Sequence, residues 1–204
     1  MKDVRLSRLA ACSIVAFAGA LRCAPAAAHL NSTGMGPVYD GLTHFLTSPE
    51  DLVPVLALAL FAGLRGAAYG RRALFTLPAA WLLGSLLGLT AAATTASPVL
   101  SSLWFLLLGG LVATDARLSL RLTTALAALL GLVHGYFNGA GMSPFGSAFI
   151  AVVGLVSAVF ALIALAAAFV VQLRAHWARI AVRVAGSWIA ASGLLMLGWA
   201  LRAV

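Results

Sequence analysis

Six apolar stretches, each close to the length that crosses a bilayer, leave this chain few folds to choose from. A helix needs about 20 apolar residues to cross about 30 Å of hydrocarbon. Stretches near that length run approximately from Pro49 to Leu64, Ala73 to Ala93, Pro98 to Thr114, Leu118 to Phe137, Pro144 to Leu173 and Ala178 to Ala203. The first is the shortest, and its continuous apolar part begins only at Leu52, so Glu50 and Asp51 fall at or just inside the outer lipid boundary. The fifth is long enough to tilt strongly or to project from the bilayer. Composition agrees, because 63% of the 204 residues are hydrophobic and 9% charged, whereas water-soluble domains carry about 25% charged residues. The expected fold is all-α, a polytopic membrane bundle of six transmembrane helices over residues 49–204. That domain uses nearly the whole length and leaves no room for a separate catalytic domain, so no enzyme activity is expected.

Residues 1–28 have the three parts of an export signal: a positive start with Lys2, Arg5 and Arg8, an apolar run from Leu9 to Leu21, and the small-residue site Ala26-Ala27-Ala28. Cleavage there makes His29 the new amino terminus and residues 29–48 an external segment. Leu21-Arg22-Cys23 has the outline of a lipoprotein site, but an arginine before the cysteine is unsuitable for that peptidase. Both cysteines, Cys12 and Cys23, leave with the signal, so thiolate ligation and disulfides are excluded from the mature chain. A cleaved signal fixes the first loop outside. The loops then expected on the cytoplasmic side carry Arg65, Arg71, Arg72, Arg117, Arg121, Arg174, Arg179 and Arg183, while the external loops carry none. The positive-inside rule therefore gives the same orientation, a bacterial inner membrane with both mature termini on the periplasmic side. The net charge of +8 is spent on topology, and without a basic stripe interleaved with aromatics no nucleic-acid partner is expected.

Rare polar residues at membrane depth are the informative ones, because ionisable groups there are expensive. The stretch His44-Phe45-Leu46-Thr47-Ser48-Pro49-Glu50-Asp51 holds an imidazole and two carboxylates, ligands for a divalent first-row ion. A second reading is open for the acids: Ser48 as N-cap, Pro49 at the first helical position and Asp51 three residues on make a capping-box pattern. That reading leaves His44 unexplained. In Leu132-Val133-His134-Gly135-Tyr136-Phe137-Asn138-Gly139, His134 and Asn138 are four apart and share one helical face. They can grip one ion or make an interhelical hydrogen bond. Gly131, Gly135 and Gly139 recur every fourth residue, the spacing that lets membrane helices approach closely. Topology places both constellations at the outer end. The segment Asn31 to Ser48, with Gly34, Gly36, Pro37 and Gly41, is too polar and glycine-broken to span and is expected to fold back over that end. Met35 and Met142 also fall outside, where thioethers suit copper(I); a terminal His29 offers an amine and imidazole to copper or nickel. His176 falls among the cytoplasmic arginines, in an interfacial turn.

Gly41-Leu42-Thr43-His44-Phe45-Leu46-Thr47 with its acidic pair, and the stretch beginning His134-Gly135, resemble the two motifs of the HupE/UreJ family of hydrogenase and urease accessory permeases. The signal and six spans resemble its overall plan. The resemblance implies nickel or cobalt handling. Where that family shows His, five residues, then Asp-His, this chain has His44 and Glu50-Asp51; where it shows His-Gly-x-x-His-Gly-x-Glu, this chain has His134, Asn138 and Gly141. Such a site is richer in oxygen and weaker for nickel.

Together these readings give a secondary permease for a divalent metal ion, or a metallocentre-assembly protein. Its metal-site residues are His44, Glu50, Asp51, His134 and Asn138, and nickel, cobalt or copper is the ligand. No tightly bound cofactor is expected. The bilayer and the ion are the expected partners, with a membrane metalloenzyme or its assembly factors as a further one. The rival is a non-transporting structural or assembly subunit, with copper as the alternative metal, that packs on such an enzyme through its glycine-rich faces.

Overall fold

The computed structural model describes residues 33–143 and 146–202. The signal read over residues 1–28 and the terminus at His29 lie outside the described residues. Among the described residues seven helices follow one another: α1 Pro37–Thr47, α2 Pro49–Arg65, α3 Ala67–Leu89, α4 Pro98–Ala113, α5 Leu120–Met142, α6 Ala148–Gln172 and α7 His176–Arg202. The six apolar stretches became α2 to α7. Their starts are locally encoded, by Pro at the first turn of α2 and α4 and by Ser97 and Ser119, whose hydroxyls accept from the amides of Leu100 and Leu122.

By length and composition α3, α5, α6 and α7 can each cross a membrane. The α1–α2 pair qualifies only when taken together, across a 74° bend, and α4, with 16 residues, is apolar but shorter. Shortness in α2 is explained by its position. Val55, Ala57, Leu58, Ala59, Phe61 and Ala62 have no exposed surface, and α3, α4 and α6 pack around it. A helix apolar all round belongs in the middle of a bundle, and its length does not have to match lipid.

Small residues set the helix pairs. Cβ atoms at Gly131, Gly135 and Gly139 would run into the carbonyls of Leu77, Trp81 and Ser85, and those at Gly84 and Gly88 into the carbonyls of Leu132 and Tyr136. Residue numbers rise together along this seam, so α3 and α5 are parallel. The contacts of Gly109 with Gly186 and Ala190, and of Gly193 with Ser102 and Phe105, run in opposite senses and make α4 and α7 antiparallel.

The segment expected to fold back over the end of the bundle without spanning forms a short helix, α1, over Pro37–Thr47. Gly34 and Gly36 do adopt positive φ, 75° and 105°, ahead of α1, but Gly41 lies within the helix. Its missing side chain admits the carbonyl of Ala151, and Gly154 admits that of Val38. α1 thereby crosses the amino-terminal end of α6 antiparallel to it. Intrinsic propensity disfavours Gly in a helix by about 1 kcal/mol; close contact outweighs it here.

At the opposite end the arginines serve the backbone. Arg179 donates to the carbonyl of Leu64 at 3.0 Å and Arg183 to that of Ala113 at 3.0 Å, capping the carboxyl ends of α2 and α4 where cations are favoured. Arg65 pairs with Asp115. His176 is exposed at the start of α7.

Candidate functional site

Ser48 breaks the chain between α1 and α2 and is followed by Pro49, which opens α2. The 74° bend turns His44, near the end of α1, toward the first turn of α2. Ser48 makes no side-chain cap, so the capping box read for Asp51 does not form. Asp51 instead spends both carboxylate oxygens on α5: Oδ1 accepts from His134 Nδ1 at 2.8 Å and Oδ2 from Asn138 Nδ2 at 3.0 Å. The i,i+4 spacing of His134 and Asn138 does place them on one face, and Asn138 Nδ2 also donates to the His134 carbonyl at 2.9 Å. Asn138 Oδ1 accepts from His44 Nε2 at 3.1 Å. Three helices are thus tied through one amide. Asp51, His134 and Asn138 are 5%, 6% and 8% exposed, and burial at that level requires such pairing.

The network borders a cavity of about 60 Å³, room for a few waters. All five residues expected to form the site line it, His44, Glu50, Asp51, His134 and Asn138. Glu50 is the exposed member, at the mouth. Pro54 has no amide proton to give the Glu50 carbonyl, so a backbone oxygen beside the acidic pair lacks its usual helical donor. Met142 lines the cavity, whereas Met35 is not among its lining residues and is exposed.

Sequence reading missed the aromatic neighbours of His134. Trp81 of α3 and Trp104 of α4 flank the His134 ring, with centroids at 5.5 and 5.9 Å, and Thr95, Leu100 and Ser101 close the α4 side. No spacing signal marks a tryptophan in an apolar run as the neighbour of a particular histidine. His134 Nε2, Trp81 Nε1 and Trp104 Nε1 are buried without a hydrogen-bond partner. Leaving such an atom unpaired costs about 1–3 kcal/mol, so the place suits a polar occupant.

Among the described residues no three His, Cys, Asp or Glu side chains stand close enough together to hold an ion as they are. Gly141 also lines the cavity, and a Cβ built on it meets nothing within 4 Å. The position at which the motif resemblance places a glutamate is therefore open space.

Comparison with known proteins matches residues 15–196 to the model of the HupE / UreJ protein family. No curated protein matches, and no solved structure does.

Proposed function

The chain belongs to the HupE/UreJ family, associated with nickel and cobalt uptake or accessory roles, and from that premise we propose that it takes a divalent transition-metal cation, nickel or cobalt, as cargo at the outer cavity. The reading rests chiefly on one observation: His44, Asp51, His134 and Asn138, from three helices, form a single hydrogen-bonded network lining one cavity, with His134 Nε2 buried and unpaired. Polar groups at membrane depth are expensive and mark ion paths.

The network assigns the tautomers. His134 gives its Nδ1 proton to Asp51, and His44 gives its Nε2 proton to Asn138, so His134 Nε2 and His44 Nδ1 keep the lone pairs. A carboxylate behind a histidine is the usual arrangement for orienting a metal-binding imidazole. Because no three ligating side chains stand together, the cation gathers its ligands by moving them. Glu50 at the mouth and Asp51 are the carboxylates available, and the Glu50 carbonyl is a further oxygen.

In this proposal α2 to α7 cross an inner membrane six times, after removal of residues 1–28, with both mature termini periplasmic. The cation then arrives from outside and is driven by its gradient, the membrane potential or a partner protein. A second reading, a non-transporting assembly subunit, draws support from α7. Trp177, Trp188 and Trp199 recur every eleven residues on one face and are 74%, 72% and 76% exposed. The glycine seam of α5 is used up within the chain and offers no docking face.

Equilibrium binding of nickel, cobalt, copper and zinc to the purified mature protein tests the site. His44→Ala and His134→Ala should each remove most high-affinity binding, and the double variant should add little, because residues sharing one ion are non-additive. Asn138→His with Gly141→Glu, which restores two motif residues, the glutamate in open space and the histidine in place of the buried amide, should raise nickel affinity roughly tenfold, imidazole suiting nickel. Wild-type binding no tighter than that of the double alanine variant ends the proposal. Uptake into proteoliposomes separates the permease from the assembly subunit.

A further inference from the structure

The parallel pairing of α3 and α5 has an electrostatic result at the arginine-rich end. Both helices begin there, at Ala67 and Leu120, so their positive dipole ends lie side by side instead of cancelling against an antiparallel neighbour. α3 starts after Gly66, which has no side chain to cap its first amides. Toward this end the seam, tight from Leu77 outward, opens into a groove of about 400 Å³ lined by Arg72, Leu120, Arg121, Thr124, Ala125 and Ala128. Arg72 and Arg121 are exposed. Among the described residues neither has an acidic partner, and the one carboxylate at this end, Asp115, is paired with Arg65. Arg121 stands in the first turn of α5, where a cation is disfavoured. Two guanidinium groups, two helix amino ends and an apolar floor of Leu120, Ala125 and Ala128 thus meet on the outer surface of the bundle, level with the ends of the spans.

We propose that this groove binds one anionic phospholipid of the adjoining leaflet, its phosphate held by Arg72 and Arg121 and one acyl chain lying along the small residues of α5. Guanidinium groups bind phosphate in bidentate fashion, and the apolar Leu120, Ala125 and Ala128 beside them suit a hydrocarbon chain better than a purely aqueous anion. The inference uses the membrane reading and is independent of the metal site.

Native mass spectrometry of the purified mature protein, titrated separately with phosphatidylglycerol and phosphatidylcholine, tests it. Wild type should retain one phosphatidylglycerol in preference to phosphatidylcholine. The double variant Arg72→Gln, Arg121→Gln should lose about thirtyfold in apparent affinity, as expected from about 1 kcal/mol per surface arginine. Arg72→Lys with Arg121→Lys should keep most of the preference, and Arg202→Gln, at the opposite end, should change nothing. If the glutamine variant does not fold, the wild-type lipid preference and its survival in the lysine variant decide the matter. Equal retention of the two lipids by wild type overturns the proposal. So does full retention by a folded glutamine variant, or displacement of phosphatidylglycerol by inorganic phosphate at matched concentration.

Discussion

The two ends of the bundle use polar residues in opposite ways. At the end that carries the cavity Asp51, His134, Asn138 and His44 bond to one another across three helices, and all but His44 are almost fully buried. At the other end Arg179 and Arg183 bond to backbone carbonyls that any cation could satisfy, while Arg71, Arg72, Arg117, Arg121 and Arg174 are exposed. The first arrangement depends on which side chain faces which; the second depends on little more than charge. Site chemistry is expected in the first and orientation in the membrane in the second.

The sharpest test of that division is all-or-none. With Cys12 and Cys23 replaced, a single cysteine at the exposed Thr95 should react with an impermeant thiol reagent in intact spheroplasts, and one at the exposed Ala175 should not. The reverse pattern would put the cavity on the cytoplasmic side and defeat uptake from outside. Next in size, Asp51→Ala strands the His134 Nδ1 proton and one Asn138 donor, for a loss of about 2–4 kcal/mol in thermal or denaturant unfolding. Smallest is Arg183→Gln. It removes an exposed cap and should cost under about 1 kcal/mol by the same measurement. If the two substitutions cost the same, the buried network has no special standing and the contrast between the ends disappears.

Much of this was readable from residues alone, for reasons that differ from place to place. Apolar length gave α2 to α7, because burial in lipid or core requires it. The four-residue spacing gave the shared face of His134 and Asn138, and alternating direction brought that face to the level of His44. The partner of Asp51 was not readable. A carboxylate in the first turn after Ser-Pro suits the helix dipole equally well, and only the approach of α5, set by Gly131, Gly135 and Gly139, decides the matter. α1 was missed because Gly41 carries a local cost whose compensation lies at Ala151, far along the chain. Nothing in the sequence marks Trp81 and Trp104, whose rings come to flank His134 only when α3, α4 and α5 pack together.

The seat of α1 also sets an order of events during synthesis. α1 rests mainly on α6, at Ala151 and Gly154, and His44 is carried on α1. While α5 is the last helix made, Asp51 can meet His134 and Asn138, but the ledge that holds His44 has not yet been translated. At about 5–20 residues per second the interval is on the order of a few seconds. The cavity therefore acquires its second imidazole late, when most of the bundle already exists, and a nascent chain offers passing metal ions only half of the histidines that the finished protein does.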